Sequence, residues 1–193
     1  MKDVSFKDFD ILSEQDKAEA VALVQRYDQL EKQDGCQSDF ISFIKHMWPD
    51  FIEGRHHKII ANKFNNIADG KLKRLIVCLP PRHSKSEFAS TFFPAWMMGR
   101  RGNLKIIQTT HTAELAVRFG RKVRNIIDST EYQHIFPELK LQADNKSAGR
   151  WTSNQEGEFF AAGVGGAITG RGADLLIIDD PHSEQDALSP KAL

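Results

Sequence analysis

Three short apolar runs constrain this chain more than any other feature: RLIVCL (74–79), NLKIIQTT (103–110) and ADLLIIDD (173–180). Each carries large aliphatic residues at adjacent positions, the pattern of a strand covered on both faces; a half-exposed strand would alternate. Segments of helical period separate them. Residues 84–98 read as one helix that Pro94 kinks or shortens, and 112–128, TAELAVRFGRKVRNIID, as another with Leu115, Phe119, Val123, Ile126 and Ile127 on its core face. The stretch GRWTSNQEGEFFAAGVGG (149–166) predicts a pair of short strands around a polar turn. Strands alternating with helices predict an α/β domain whose central sheet is mainly parallel and flanked by helices.

Helices precede the first apolar run. Behind a capping Ser13, residues Ala20, Leu23, Val24, Tyr27 and Leu30 recur at helical spacing as far as Gly35, which predicts an amphipathic helix. A second is expected over 38–47, stopped by Pro49, and a third over 56–68 with Ile59, Ile60, Phe64 and Ile67 inward and Gly70 past its end. The division that follows is an N-terminal helical segment, 1–36, and a main domain, 37–193. With 26 Lys plus Arg against 26 Asp plus Glu, no global field draws the chain to nucleic acid, so any such contact needs a local patch. Cys36 and Cys78 lie far apart, and the second sits in an apolar run; buried reduced thiols are expected in preference to a disulfide or metal site. No apolar h-region follows the charged N-terminus, and no run reaches the roughly 18 apolar residues of a membrane span, which predicts an intracellular protein.

Ligands of α/β sheets bind beyond the carboxyl ends of strands. After RLIVCL come Pro80, Pro81, Arg82, His83, Ser84, Lys85 and Ser86. Against the phosphate-loop pattern G-x-x-x-x-G-K-[ST], Lys85 and Ser86 match, whereas Leu79 and Ser84 occupy the glycine places. Lysine suits the β and γ phosphates and a hydroxyl suits Mg²⁺, but the missing glycines are those that permit a tight turn and close phosphate approach. Taken alone, the segment reads first as a capped helix after a strand and second as a nucleotide loop.

The second strand end adds Asp179 and Asp180 directly after four apolar residues. Adjacent acids at the end of a buried strand are costly unless they serve a cation or a water, which is the form of a Walker B segment. The competing reading is a solvated turn before Pro181. In the glycine-rich stretch before them, Arg171 is the one cation, placed to stabilise γ-phosphate charge in cis or from a neighbouring subunit, or else incidental to a surface loop.

As an ordered set, RHHKIIANKF, LPPRHSKSE, IIQTTHTAELAVRFGRKVRNII and GGAITGRGADLLIIDDP resemble the ATPase domain of the large terminase subunit of tailed bacteriophages, over about 40–181. In that family the phosphate loop takes variant forms such as PPRHGKSE, so the missing glycines follow the family's pattern. The resemblance implies a P-loop NTPase fold of the ASCE type, with ATP and Mg²⁺ as cofactors. It implies nucleotide contacts from Pro81, Arg82, His83, Ser84, Lys85, Ser86 and Glu87, and metal contacts from Ser86 and Asp179. Lys85, Asp180 and Arg171 become the catalytic residues, Asp180 standing where a Glu is commoner. His57, with His56, falls where the family places adenine recognition, though the usual Gln is missing and a plain helix start is the alternative.

The same resemblance implies ATP-driven movement of viral double-stranded DNA into a procapsid. The partners would be a portal protein, a small terminase subunit and further copies in a homo-oligomeric ring, with the host cytoplasm as location and no membrane. The family continues past Walker B with a coupling motif and a nuclease domain; neither falls within these 193 residues, so a fragment, a split gene product or part of a longer protein is expected, without nuclease activity of its own. The basic run RFGRKVR is either a DNA or subunit contact or a solvated helix face. A helicase-like motor and a nucleotide-binding fragment without turnover remain as competing functions.

Overall fold

The computed structural model describes residues 13–166 and 168–182; the two ends of the expected domain division lie outside the described residues. Helix α1 (Glu14–Ser38) starts at Ser13, whose hydroxyl accepts from the Asp16 N–H, and passes through Gly35. Its expected apolar face is not covered: Leu23, Val24, Tyr27 and Leu30 are all exposed, Tyr27 to 67%. The C-terminal part anchors the helix instead. Cys36 is buried there, and the amides of Gln33 and Gln37 donate to the Ile135 carbonyl.

Helices α2 (Phe40–Met47) and α3 (Arg55–Ala68) follow, α2 capped by the Asp39 carboxylate on the Ser42 N–H. Phe40 forms the hub. It meets Phe64, Phe88, Phe93 and Trp96 edge-on with ring centroids 5.2–5.8 Å apart, in the edge-to-face arrangement that the aromatic quadrupole favours. Ile60 and Phe64 of α3 turn inward as expected, but Ile59 is exposed.

The sheet has five strands: β1 (Lys105–Thr110), β2 (Leu141–Lys146), β3 (Arg150–Ser153), β4 (Glu158–Gly163) and β5 (Leu175–Ile178). Their order is β2-β3-β4-β1-β5. β1 pairs in parallel with β4 and β5, whereas β3 is antiparallel to β2 and β4. The sheet is therefore mixed, and the expectation of a mainly parallel one is corrected. The reason is local: β3 and β4 are joined by a short turn, which can only return antiparallel, and β2, which the sequence pattern missed, adds to β3 in the same manner. Helix α5 (Ala113–Ile127) covers one face of the sheet, with Phe119, Val123 and Ile127 buried, and short α6 (Thr130–Ile135) follows.

A second correction concerns RLIVCL. Residues 74–79 run without regular structure and pair with no strand, Ile76 is 89% exposed, and Cys78 is exposed, not buried. β-Branched composition favours extended backbone, but a strand also needs a partner edge. The free edge of β5 and this segment border the same apolar cleft, lined by Leu75, Val77, Phe64, Phe93 and Ile177, without pairing across it. Among the described residues no helix is long and apolar enough to cross a membrane.

After the loop, helix starts at Lys85, widens into a π-helical turn over Glu87–Phe92 and continues as α4 (Phe93–Arg100). Pro94 accounts for the widening. It has no N–H to give, and in regular α-helix its ring would strike the carbonyl of Ser90, four residues back.

Two substitutions separate hub from periphery. Phe40→Ala is expected to lower unfolding free energy by about 3–5 kcal/mol in urea titrations, whereas Tyr27→Ala changes it by less than about 0.5 kcal/mol.

Candidate active site

Parallel pairing brings the carboxyl ends of β1 and β5 to the same side of the sheet, with Thr109 opposite Ile178. Asp179 continues that ladder by donating its N–H to the Thr109 carbonyl at 2.9 Å, and the Asp180 carbonyl accepts from the His111 N–H at 3.3 Å. Asp179 is buried. Its Oδ2 accepts from the Ser90 hydroxyl at 2.8 Å, while Oδ1 stands 3.9 Å from Lys85 Nζ. Asp180 is largely exposed and accepts from Lys85 Nζ through Oδ1 at 2.6 Å, a contact between residues 95 apart in sequence. That hydrogen bond, assisted by the charges of Asp180 and Asp179, raises the Lys85 pKa above its ordinary value against the opposing cost of burial, so the ammonium is firmly charged. Lys85, Ser90, Asp179 and Asp180 line the polar end of the cleft, about 390 Å³ in volume.

The loop turn explains how a sequence without glycine fits. Ser84, at the second glycine place, adopts φ 59° and Arg82 adopts φ 63°, both left-handed; Asp180 does the same at φ 44°. Left-handed backbone costs a non-glycine residue about 1–2 kcal/mol, and such strain gathers at functional sites. His83 folds back within the turn, its Nδ1 2.8 Å from the Pro81 carbonyl. Ser86 lies half-buried where the helix begins.

Other expected site residues are engaged elsewhere. Glu87 forms an ion pair with Lys122 of α5, tying the first turn after the loop to that helix and removing Lys122 from the free basic face. Arg171 donates to Glu158 Oε1 at 2.9 Å, shares that oxygen with Arg150, and lies 4.0 Å over the Phe160 ring. Glu158 pairs with Lys105 at the start of β1, about 16 Å along the strand from Thr110 at ~3.3 Å per residue. The structure thus does not bring Arg171 to Lys85.

His57 is buried at the start of α3. Its Nδ1 accepts from the Gly54 N–H at 2.9 Å, its ring stacks on Phe88, and its Nε2 has no partner. His56 sits between His57 and His83, with ring centroids 3.8 and 5.5 Å away. Burial foremost, then the neighbouring His56 and His83 against the opposing pull of Glu53, lowers the His57 pKa from its ordinary value.

Sequence reasoning missed Ser90. The available signal was a hydroxyl one turn beyond Ser86 and four residues before Pro94. Among the described residues no three His, Cys, Asp or Glu side chains converge to hold a metal by themselves. Mg²⁺ is commonly held by one or two carboxylates with phosphate oxygens and water supplying the rest, so the hard oxygen donors of Asp179 and Ser86 suit a metal brought in with a phosphate ligand. The chain matches none of the protein-family models, curated proteins or solved structures with which it was compared.

Two predictions follow from this geometry. Ser84→Val is expected to cost more than about 1 kcal/mol in denaturant titrations because a β-branched residue resists left-handed backbone, while Ser84→Gly costs nothing measurable. The lowered His57 pKa means the unfolded chain binds a proton that the folded chain resists. Stability is therefore full above about pH 6.5 and falls below it. The Tm should drop between pH 7.5 and 5.5, with a shallower drop in His57→Gln, which keeps an acceptor near Gly54.

Proposed function

We propose that this chain is a P-loop ATPase of the ASCE type, related to the ATPase part of terminase large subunits, whose hydrolysis drives double-stranded viral DNA into a procapsid. One observation carries the reading: a lysine from the loop after 74–79 and two carboxylates after β5 meet at one end of the cleft, with Lys85 Nζ 2.6 Å from Asp180. Loop lysine and strand-end acids are the two elements that phosphoryl transfer to water requires in proteins of this class.

The division of labour follows from burial. Asp179, enclosed and held by Ser90 and the Thr109 carbonyl, offers a fixed carboxylate oxygen toward Lys85. Asp180, exposed, on strained backbone and paired with Lys85, takes the role of orienting the attacking water and receiving its proton. Lys85 exchanges the Asp180 carboxylate for phosphate oxygens when ATP enters, which releases Asp180 for that role. Mg²⁺, held by Ser86 and Asp179 and carried in with the nucleotide, would neutralise charge on the β and γ phosphates. The backbone N–H groups of Arg82–Ser86 would supply the anion cradle, with Arg82 and Ser84 in left-handed backbone.

Arg171 fits trans action only if a neighbouring copy draws it from Glu158, which favours a second reading for the isolated chain: nucleotide binding with little turnover. DNA, the portal, the small subunit and a homo-oligomeric ring belong to the packaging reading.

The expected result for Lys85→Ala is loss of ATP binding and at least a ~100-fold drop in hydrolysis, measured by phosphate release. Wild-type chain that binds ATP but releases no phosphate, with or without DNA, selects the non-hydrolysing reading. Strand separation without packaging activity selects a helicase-like motor.

A further inference from the structure

A serine within a helix ordinarily returns its hydroxyl to the carbonyl four residues earlier. Ser90 does not. It is wholly buried, and its Oγ donates instead to Asp179 Oδ2 at 2.8 Å, across the gap between the π-helical turn and the end of β5. The direction has a cause in the backbone. Pro94 stands four residues after Ser90, and the turn has widened so that the Phe93 N–H bonds the Phe88 carbonyl, five residues back. A π-turn of this kind re-aims the side chains it carries.

The consequence falls on Asp179. Its backbone is anchored at Thr109 and its Oδ2 is held by Ser90, so rotation of the carboxylate is restrained with Oδ1 facing Lys85 at 3.9 Å. An unrestrained carboxylate offers either oxygen and rotates between them. Outer hydrogen bonds that orient a ligating group commonly change metal affinity by about 10–100-fold.

We propose that Ser90 is the positioning residue for Asp179: its hydroxyl holds Oδ2 so that Oδ1 is presented to the Mg²⁺ of a bound nucleoside triphosphate, and the π-helical turn at Pro94 serves to aim that hydroxyl. The inference rests on the nucleotide site proposed above. It assigns a role to a residue that touches neither phosphate nor metal.

The test uses the full chain and a fluorescent, non-hydrolysable ATP analogue, whose Kd is measured with Mg²⁺ and again with EDTA. For Ser90→Ala the tightening produced by Mg²⁺ is expected to shrink about 10-fold, while the Kd in EDTA stays within about twofold of wild type. Ser90→Thr keeps the hydroxyl and restores the Mg²⁺ effect. Ser90→Cys, close to serine in size but a weak donor, behaves like the alanine variant and replaces it if that variant fails to fold. An undiminished Mg²⁺ effect in Ser90→Ala or Ser90→Cys, or a threonine variant as impaired as alanine, overturns the inference alone. Wild-type chain that fails to bind the analogue under either condition overturns the nucleotide-site reading and this inference together.

Discussion

The parallel pairing of β5 with β1 is the constraint on which the site depends. Pairing in this sense sends both strands toward the same edge, so that Thr110 and Asp179 emerge side by side. Had β5 paired antiparallel, its two acids would have emerged beside Lys105, beyond the reach of the loop. The apolar residues of 175–178 supply the reason for the pairing and Asp174 closes its far end, its carboxylate accepting from the Lys105 N–H. Everything charged in the site then follows from where those two ladders stop.

The aromatic hub around Phe40 has a related task. It locks α2, α3 and α4 together, and through Phe88 it fixes the turn that begins at Lys85. Arg82 and Ser84, just before that turn, and Asp180, past the end of β5, hold left-handed conformations that their own sequence disfavours. Rigid helices on one flank and a hydrogen-bonded strand end on the other leave the loop little freedom to relax. On the opposite side of the cleft the molecule is open: 74–79 and the outer edge of β5 both present apolar groups to solvent, Ile76 and Ile178 among them.

Much of this was legible in the sequence. The runs at 105–110 and 175–178 are strands as expected, but the second is an edge strand with Leu176 and Ile178 exposed, not covered on both faces; α5 is a helix as its apolar period predicts. Lys85, Asp179 and Asp180 were singled out together in the sequence, and the structure brings the lysine to 2.6 Å from Asp180 and 3.9 Å from Asp179. RLIVCL shows the limit. Its composition favours extended backbone, but a strand also needs a partner edge, and 74–79 pairs with none although it lines the same cleft as β5. The exposed face of α1 and the misplaced Cys78 fail for the same reason, since apolar pattern states a preference for burial without naming what provides it.

By itself, the sequence determined most of the helices and the strands at 105–110 and 175–178, and it singled out Lys85, Asp179 and Asp180 as residues to be sought together. Those properties come from neighbours a few residues away. Only the tertiary structure decided that the sheet is mixed, that Arg171 is held by Glu158 far from the loop, and that Ser90 and not Ser86 grips Asp179. Each of these depends on backbone direction and register between segments tens of residues apart, which no local pattern encodes.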